Sequence, residues 1–343
     1  MDPNSLNLIK GAAGSGGSVD LAVAHATTPF ISVYPWDAGF GTKYSDPSTL
    51  PTGNGIGVAF SPDGADLAVS HAITPYISVY PWSSGFGTKY SDPGTAIPSN
   101  GNNVAFSPDG ADIAIAHASS PYISVYPWSG SGFGTKYSDP GTAIPNTGQG
   151  VTFSPDGATI AVAHYDSPYI SVYPWSSGFG TKYANPSTVP TSNGFDVAFS
   201  PDGADIAVGH YASNITPYIV VYPWSSGFGT KYADPSTPPT GHGYGVTFSP
   251  DGTLLAVAHN TSPYISVYPW SSGFGTKYAD PSTTPPNAGR KPAFSPDGAT
   301  IAVAHNNSPY VSVYPWSSGF GTKYSDASTP PTGVGNGVAF SPA

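Results

Sequence analysis

"PYISVYPWSSGFGTKY", residues 75–90, returns with small edits along the whole chain. Its Trp recurs at positions 36, 82, 128, 175, 224, 270 and 316, at spacings of 46, 46, 47, 49, 46 and 46 residues. A fixed period in this range marks a repeat architecture, in which each unit is one supersecondary element that needs its neighbours to bury its apolar faces. In the copy at 122–128, "YISVYPW", Tyr122, Tyr126 and Trp128 alternate with Ile123 and Val125. A strand that is apolar on both alternating sets belongs in a sheet covered on both sides.

Each unit reads as four short strands. The first is "VAFS" (104–107), closed by the turn Pro108-Asp109-Gly110, where Pro presets φ and Gly accepts a positive one. The second is "DIAIAH" (112–117), and the third is the Tyr/Trp strand. After the Gly-rich "SGSGFG" comes a short fourth strand, "TKY" (135–137). Four-stranded blades packed radially cover both faces of every sheet. The turn "FSPDG", followed by "LAVSHA" and "YISVYPW", resembles WD40-like and YVTN-like β-propellers over nearly the whole chain after about residue 18. Where WD40 units carry Trp-Asp, this chain has "PWS", or "PWD" once at 35–37, and a Gly-His pair before the first strand occurs once, at Gly241-His242.

The expected fold is therefore all-β, a seven-bladed propeller of four-stranded antiparallel blades over residues 18–343, after an N-terminal extension at 1–17. The chain enters at a second strand ("VDLAVAH", 19–25) and its last segment is a first strand ("VAFSPA", 338–343), so the two ends should complete one blade. Deleting 337–343 is expected to destabilise the ring.

Composition narrows the function. The 343 residues carry a net charge of -10, with no Glu, one Gln and one Arg. Nucleic acid is not an expected partner, because phosphates need Lys and Arg to neutralise them. Membrane insertion is not expected either, since no apolar stretch is long enough to span a bilayer. The opening "MDPNSLNLIKGAAGSGG" has no basic region followed by an apolar one, so no conventional secretory signal is expected. With no cysteine there is neither a disulfide framework nor a thiolate metal site.

Several repeated groups invite a function and have a plainer reading beside it. His25, His71, His117, His164, His210, His259 and His305 close the second strands. They sit in different blades, roughly 10 Å or more apart, whereas Zn–N bonds of about 2 Å demand convergence; a structural role and no metal are expected. Asp63/Asp66, Asp109/Asp112 and Asp202/Asp205 lack the dense oxygen spacing of a calcium loop and read as turn residues. The Lys of "GTKY" protects an outer edge or repeats one partner contact. The aromatic set Trp82, Phe86 and Tyr90, with Trp128, Trp175, Trp224, Trp270 and Trp316, fills the blade interfaces or forms a repeated rim that stacks on sugars.

The copies differ at one end only. The "SPDG" and "SSGFG" turns are nearly uniform, while the loops at the opposite end change in every blade. Those loops feed the innermost strands, so the channel mouth should present Asn102, Asn103, Gln149, Asp196, His242, Tyr244, Arg290 and Lys291. Either this face has drifted or it recognises a partner. Catalysis needs unlike residues converging at one place, and near-identical repeats favour rings of identical groups; no catalytic residue and no cofactor are expected.

The highly repetitive style, poor in Lys, Arg and Met, also resembles the propellers carried as structural components of bacteriophage particles. That resemblance implies a non-enzymatic virion module, tail-associated or capsid-decorating, made in a host cytoplasm. Its partners would be other virion proteins or a host-surface receptor or glycan. The alternatives are a multivalent carbohydrate-binding propeller, extracellular or cell-associated, and an intracellular protein-interaction scaffold in the cytoplasm.

Overall fold

A computed structural model describes residues 19–212 and 217–343; the expected extension at 1–17 lies outside them. The described residues form 22 strands and no helix, in seven antiparallel sheets. Blade 1 joins Gly335–Phe340 to Val19–His25 and Ile31–Trp36, and blade 2 is Gly55–Phe60, Asp66–His71 and Ile77–Pro81. The same inner, middle and outer order repeats in blades 3 to 7, whose inner strands begin at Gly101, Gly148, Gly194, Gly243 and Gly289. Each inner strand packs on the next, and Gly335–Phe340 packs on both Gly289–Phe294 and Gly55–Phe60, so the ring closes. The chain is a seven-bladed β-propeller.

The fourth strand is less regular than expected. Only blade 3 carries one, the two-residue Gly132–Phe133; elsewhere a single Trp–Phe bridge such as Trp82–Phe86 marks its place. Pro81 and its equivalents at the end of each outer strand, Pro127 of blade 3 among them, keep the pairing short in every blade. The Pro81 carbonyl accepts from Gly87 N at 2.8 Å, and Val79 O accepts from Tyr90 N at 2.9 Å. Proline has no N–H to return to the ladder, so the pairing is broken into isolated bonds.

Seven apolar clusters hold the ring, one at each blade junction. The Trp side chains lie in them, only 6–8 % exposed. Phe86 meets Trp82 edge-to-face at 5.0 Å, and Tyr90 meets Trp128 of the next blade at 5.1 Å. The expected sugar-stacking rim of Trp82, Phe86, Tyr90, Trp128, Trp175, Trp224, Trp270 and Trp316 is thereby corrected: these side chains pack blade against blade.

The Asp pairs divide. Asp63 is a turn residue, accepting from Ser61 Oγ and Ala65 N. Asp66 is a junction residue, accepting from Tyr90 Oη at 2.9 Å in its own blade and from Trp128 Nε1 at 2.9 Å in the next. Asp20, Asp112 and Asp205 repeat the arrangement. No described group of His and Asp could hold a metal ion. The "GTKY" lysines bind within their own segment rather than a partner, Lys89 paired with Asp92 and Lys182 bound to Asn185.

All seven strand-end histidines are fully buried. Six hold the Ser of the adjacent outer strand through Nε2, as His71 holds Ser78 at 3.1 Å. In blade 5 that Ser is Val220, which leaves His210 Nε2 without a partner among the described residues.

Burial lowers each imidazole from the ordinary 6.5 to about 4. A base whose folded pKa lies below its unfolded one contributes its full stability above pH 6.5, and loses it as the pH falls toward 4. At pH 5.5 the loss is roughly 1 kcal/mol per His, and seven together rival the whole stability of a domain. The protein should therefore unfold cooperatively between about pH 5 and 6, followed by Trp fluorescence. A native signal kept down to pH 4 would contradict this.

Candidate functional site at the channel mouth

Each inner strand starts with a Gly because the previous blade's loop presses on it. A Cβ on Gly101 would stand 2.4 Å from the Tyr76 carbonyl oxygen, and one on Gly148 2.3 Å from that of Tyr122. Immediately after this Gly, every blade has a β-bulge against its middle strand: Gly101 faces His117, yet Asn103 faces Ala116. The other six blades shift register at the same point. A bulge leaves one residue unpaired and re-aims its side chain. The seven residues so placed are Ile56, Asn102, Gln149, Phe195, Tyr244, Arg290 and Asn336, and all of them line a cavity of about 220 Å³ at the channel mouth.

The next position forms an inner ring: Gly57, Asn103, Gly150, Asp196, Gly245, Lys291 and Gly337. Space sets this alternation. A Cβ on Gly150 would lie 2.8 Å from Asp196 Cα, and one on Gly245 would lie 2.9 Å from Lys291 Cα. Larger residues therefore stand only beside a Gly, at every second blade. With seven blades the alternation cannot close, and Gly337 and Gly57 fall side by side.

Asp196 and Lys291 reach each other across Gly245. Lys291 Nζ lies 2.5 Å from Asp196 Oδ1, and Val246 N donates to Asp196 Oδ2 at 2.8 Å. The Asp196 side chain is 3 % exposed and that of Lys291 is 27 % exposed. Beside them the Arg290 guanidinium lies 5.0 Å from the centre of the Tyr244 ring, and its Nε donates to Asn306 Oδ1 at 2.7 Å. On the opposite side the amides of Asn102 and Asn336 each donate at 2.8 Å to a carbonyl of the next blade, Gly148 O and Gly55 O. The mouth thus has an amide half and an aromatic, ion-paired half. In a chain of net charge -10, the one Arg and the one Lys from 44 to 343 outside the "GTKY" series stand together here.

The cavity brings together seven of the eight mouth residues expected from sequence: Asn102, Asn103, Gln149, Asp196, Tyr244, Arg290 and Lys291. His242 stands outside its wall, with its ring 4.0 Å from that of Tyr211, and burial lowers its pKa from the ordinary value. Ile56, Tyr165, Phe195 and Asn336 also line the cavity and were missed. Three of them occupy the bulge position, and aligning the residue after each strand-opening Gly would have found them.

No family model matches the chain, and no curated protein matches it by sequence. Solved structures match in fold. A periplasmic gluconolactonase from Pseudomonas aeruginosa aligns with a TM-score of 0.70 at 18 % identity, over 94 % of this chain and 99 % of that one. A protein from Lactobacillus plantarum aligns with a TM-score of 0.73 at 16 % identity, over the same shares. A Bacteroides uniformis protein provisionally assigned as a 6-phosphogluconolactonase aligns with a TM-score of 0.68 at 16 % identity, again over 94 % and 99 %. These likenesses establish the propeller fold.

The expectation of a non-enzymatic structural or adhesion module of a bacteriophage virion is corrected by the same neighbours, several of which are named as lactonases. The physical error lay in the argument from symmetry. Identical repeats do place identical groups in rings, but the bulge and inner-ring positions are the ones that are not identical, and unlike groups meet there. No described helix is long and apolar enough to cross a membrane.

Proposed function

We propose that the protein hydrolyses the cyclic ester of a sugar acid at the channel mouth. The observation that carries this reading is the convergence of Asp196, Lys291 and Arg290 on one small polar cavity, in a fold shared with a gluconolactonase. A cavity of about 220 Å³ suits a single small ring, since drug-sized ligands occupy about 300–1,000 Å³. The amides of Asn102, Asn103 and Gln149 match the hydroxyl groups of a sugar acid, which need both donors and acceptors.

Water attacks the lactone carbonyl carbon while the Asp196 carboxylate accepts the proton that leaves it. The negative charge that develops on the carbonyl oxygen is met by Lys291 and Arg290, cations fixed before the reaction begins. The bond from the acyl carbon to the ring oxygen then breaks, and that oxygen takes the proton held by Asp196 as it becomes a hydroxyl group, which restores the carboxylate. The product is the open hydroxy acid, whose new carboxylate remains beside the cationic pair.

The test is proton release at constant pH from glucono-δ-lactone and 6-phosphoglucono-δ-lactone. The wild-type protein should exceed the spontaneous rate with at least one of them. Arg290→Gln should lower kcat/KM about 10²-fold, the usual cost of removing one oxyanion donor. Hydrolysis of both at the spontaneous rate would reject the reading.

A further inference from the structure

One group of side chains on the variable face is used neither by the ring nor by the lactone chemistry. The residue after the middle-strand His is Ala26, Ala72 and Ala118 in blades 1 to 3, but Tyr165 and Tyr211 in blades 4 and 5. The bulge position is aromatic only in blades 5 and 6, as Phe195 and Tyr244. At these two positions the aromatic rings therefore gather in one sector of the face.

The rings make a continuous step leading out of the cavity. Phe195 meets Tyr244 at 5.0 Å and Tyr165 at 6.0 Å, all three on the cavity wall. Phe195 then meets Tyr211 at 6.5 Å, and Tyr211 lies 4.0 Å from His242, tilted by 32°. Tyr211 and His242 stand outside the cavity and belong to none of the junction clusters. Both remain half-exposed. Ala212 N points at His242 Nδ1 at 3.5 Å, and an Nδ1 that accepts places the ring proton on Nε2.

We infer that the substrate carries a second sugar ring, which rests on the Tyr211–His242 step while the lactone occupies the cavity. This rests on the lactone reading above. A pyranose ring has one face of C–H groups, which packs on an aromatic surface, and a rim of hydroxyls. The step offers that combination, aromatic surface with a phenol and an imidazole N–H at its edges, amphipathic groups of the kind found where one side is apolar and the other wet. The cavity has room for one ring only, and the step continues from its wall. The substrate class is then the lactone of a disaccharide acid, an aldobionolactone.

The experiment compares glucono-δ-lactone, with one ring, and cellobiono-δ-lactone, with two, on wild type, Tyr211→Ala and Tyr211→Phe. Wild type should favour the two-ring lactone at least tenfold in kcat/KM. Tyr211→Ala should remove that preference through KM, leaving the one-ring rate unchanged, and Tyr211→Phe should retain most of it. Equal kcat/KM for the two lactones in wild type, or an equal loss of both in Tyr211→Ala, overturns the inference. If neither lactone is hydrolysed, the lactone reading fails by itself, and NMR titration with cellobionate and gluconate decides the step separately. Tighter cellobionate binding that Tyr211→Ala abolishes supports it; equal binding of the two acids overturns it.

Discussion

A chain lacking residues 337–343 should fail to close its ring and should show no cooperative thermal transition. Gly335–Phe340 is the inner strand of blade 1, paired with Val19–His25 from Leu21↔Phe340 to His25↔Gly335. Two further bonds pin it, Asp20 N to Ser341 Oγ and Ser341 N to Asp20 O, each 2.8 Å. Val338 belongs to the blade 7–blade 1 cluster, and Phe340 packs against it, 6.0 Å from Trp36. Burying the two side chains contributes about 1.5–3 kcal/mol each. The lost backbone and Ser341 bonds add about 1 kcal/mol each. The sum is near 10 kcal/mol, comparable to the stability of a whole domain. Near-UV circular dichroism and a thermal scan read the outcome, and a truncated chain that melted like the full one would show that the ring does not depend on this strand.

Replacing the three large residues of the inner ring by the residue that fills the other four should erase activity and leave the fold. In the variant Asn103→Gly, Asp196→Gly, Lys291→Gly the ring becomes glycine in every blade. The alternation shows that the backbone accepts glycine here, since Gly57, Gly150, Gly245 and Gly337 already stand in the same register. Three added glycines cost about 0.5–1 kcal/mol each in strand entropy, and the Asp196–Lys291 pair is lost with them. That is far less than the contribution of the seven junction clusters. Catalysis should suffer much more, because the proton acceptor and one of the two cations are both gone. General-base removal alone typically costs 10²–10⁴-fold.

Most of the architecture could be read from the sequence, because the same apolar pattern is written seven times and admits one packing. The closing strand was legible too, in "VDLAVAH" at one end and "VAFSPA" at the other. The weak fourth strand was not foreseen, although its cause, the Pro of "SVYPW", is part of the repeated string. The role of Asp66 was missed for another reason: its partners, Tyr90 and Trp128, lie in two blades, and only the ring brings the indole to the carboxylate.

The candidate site was legible in outline. Loop variability pointed to the channel mouth, and Asp196, Arg290 and Lys291 stood out as rare residues among copies. The position shared by Phe195, Tyr244 and Arg290, one after each strand-opening Gly, could be aligned in the strings, but the bulge that turns it toward the cavity could not be seen there. Nor could they show the Gly–large alternation, which lets Asp196 reach Lys291 over Gly245. Sevenfold repetition suggested that no unlike groups could converge. Two adjacent positions in each inner strand escape that rule.

The most direct measurement of the account is proton release at constant pH from the aldonolactones, for wild type and the inner-ring glycine variant side by side, with a thermal scan of each. The account predicts hydrolysis above the spontaneous rate for wild type, a loss of at least 10²-fold in kcat/KM for the variant, and a cooperative melt for both. Equal rates for the two proteins, in a variant that melts cooperatively, would contradict it.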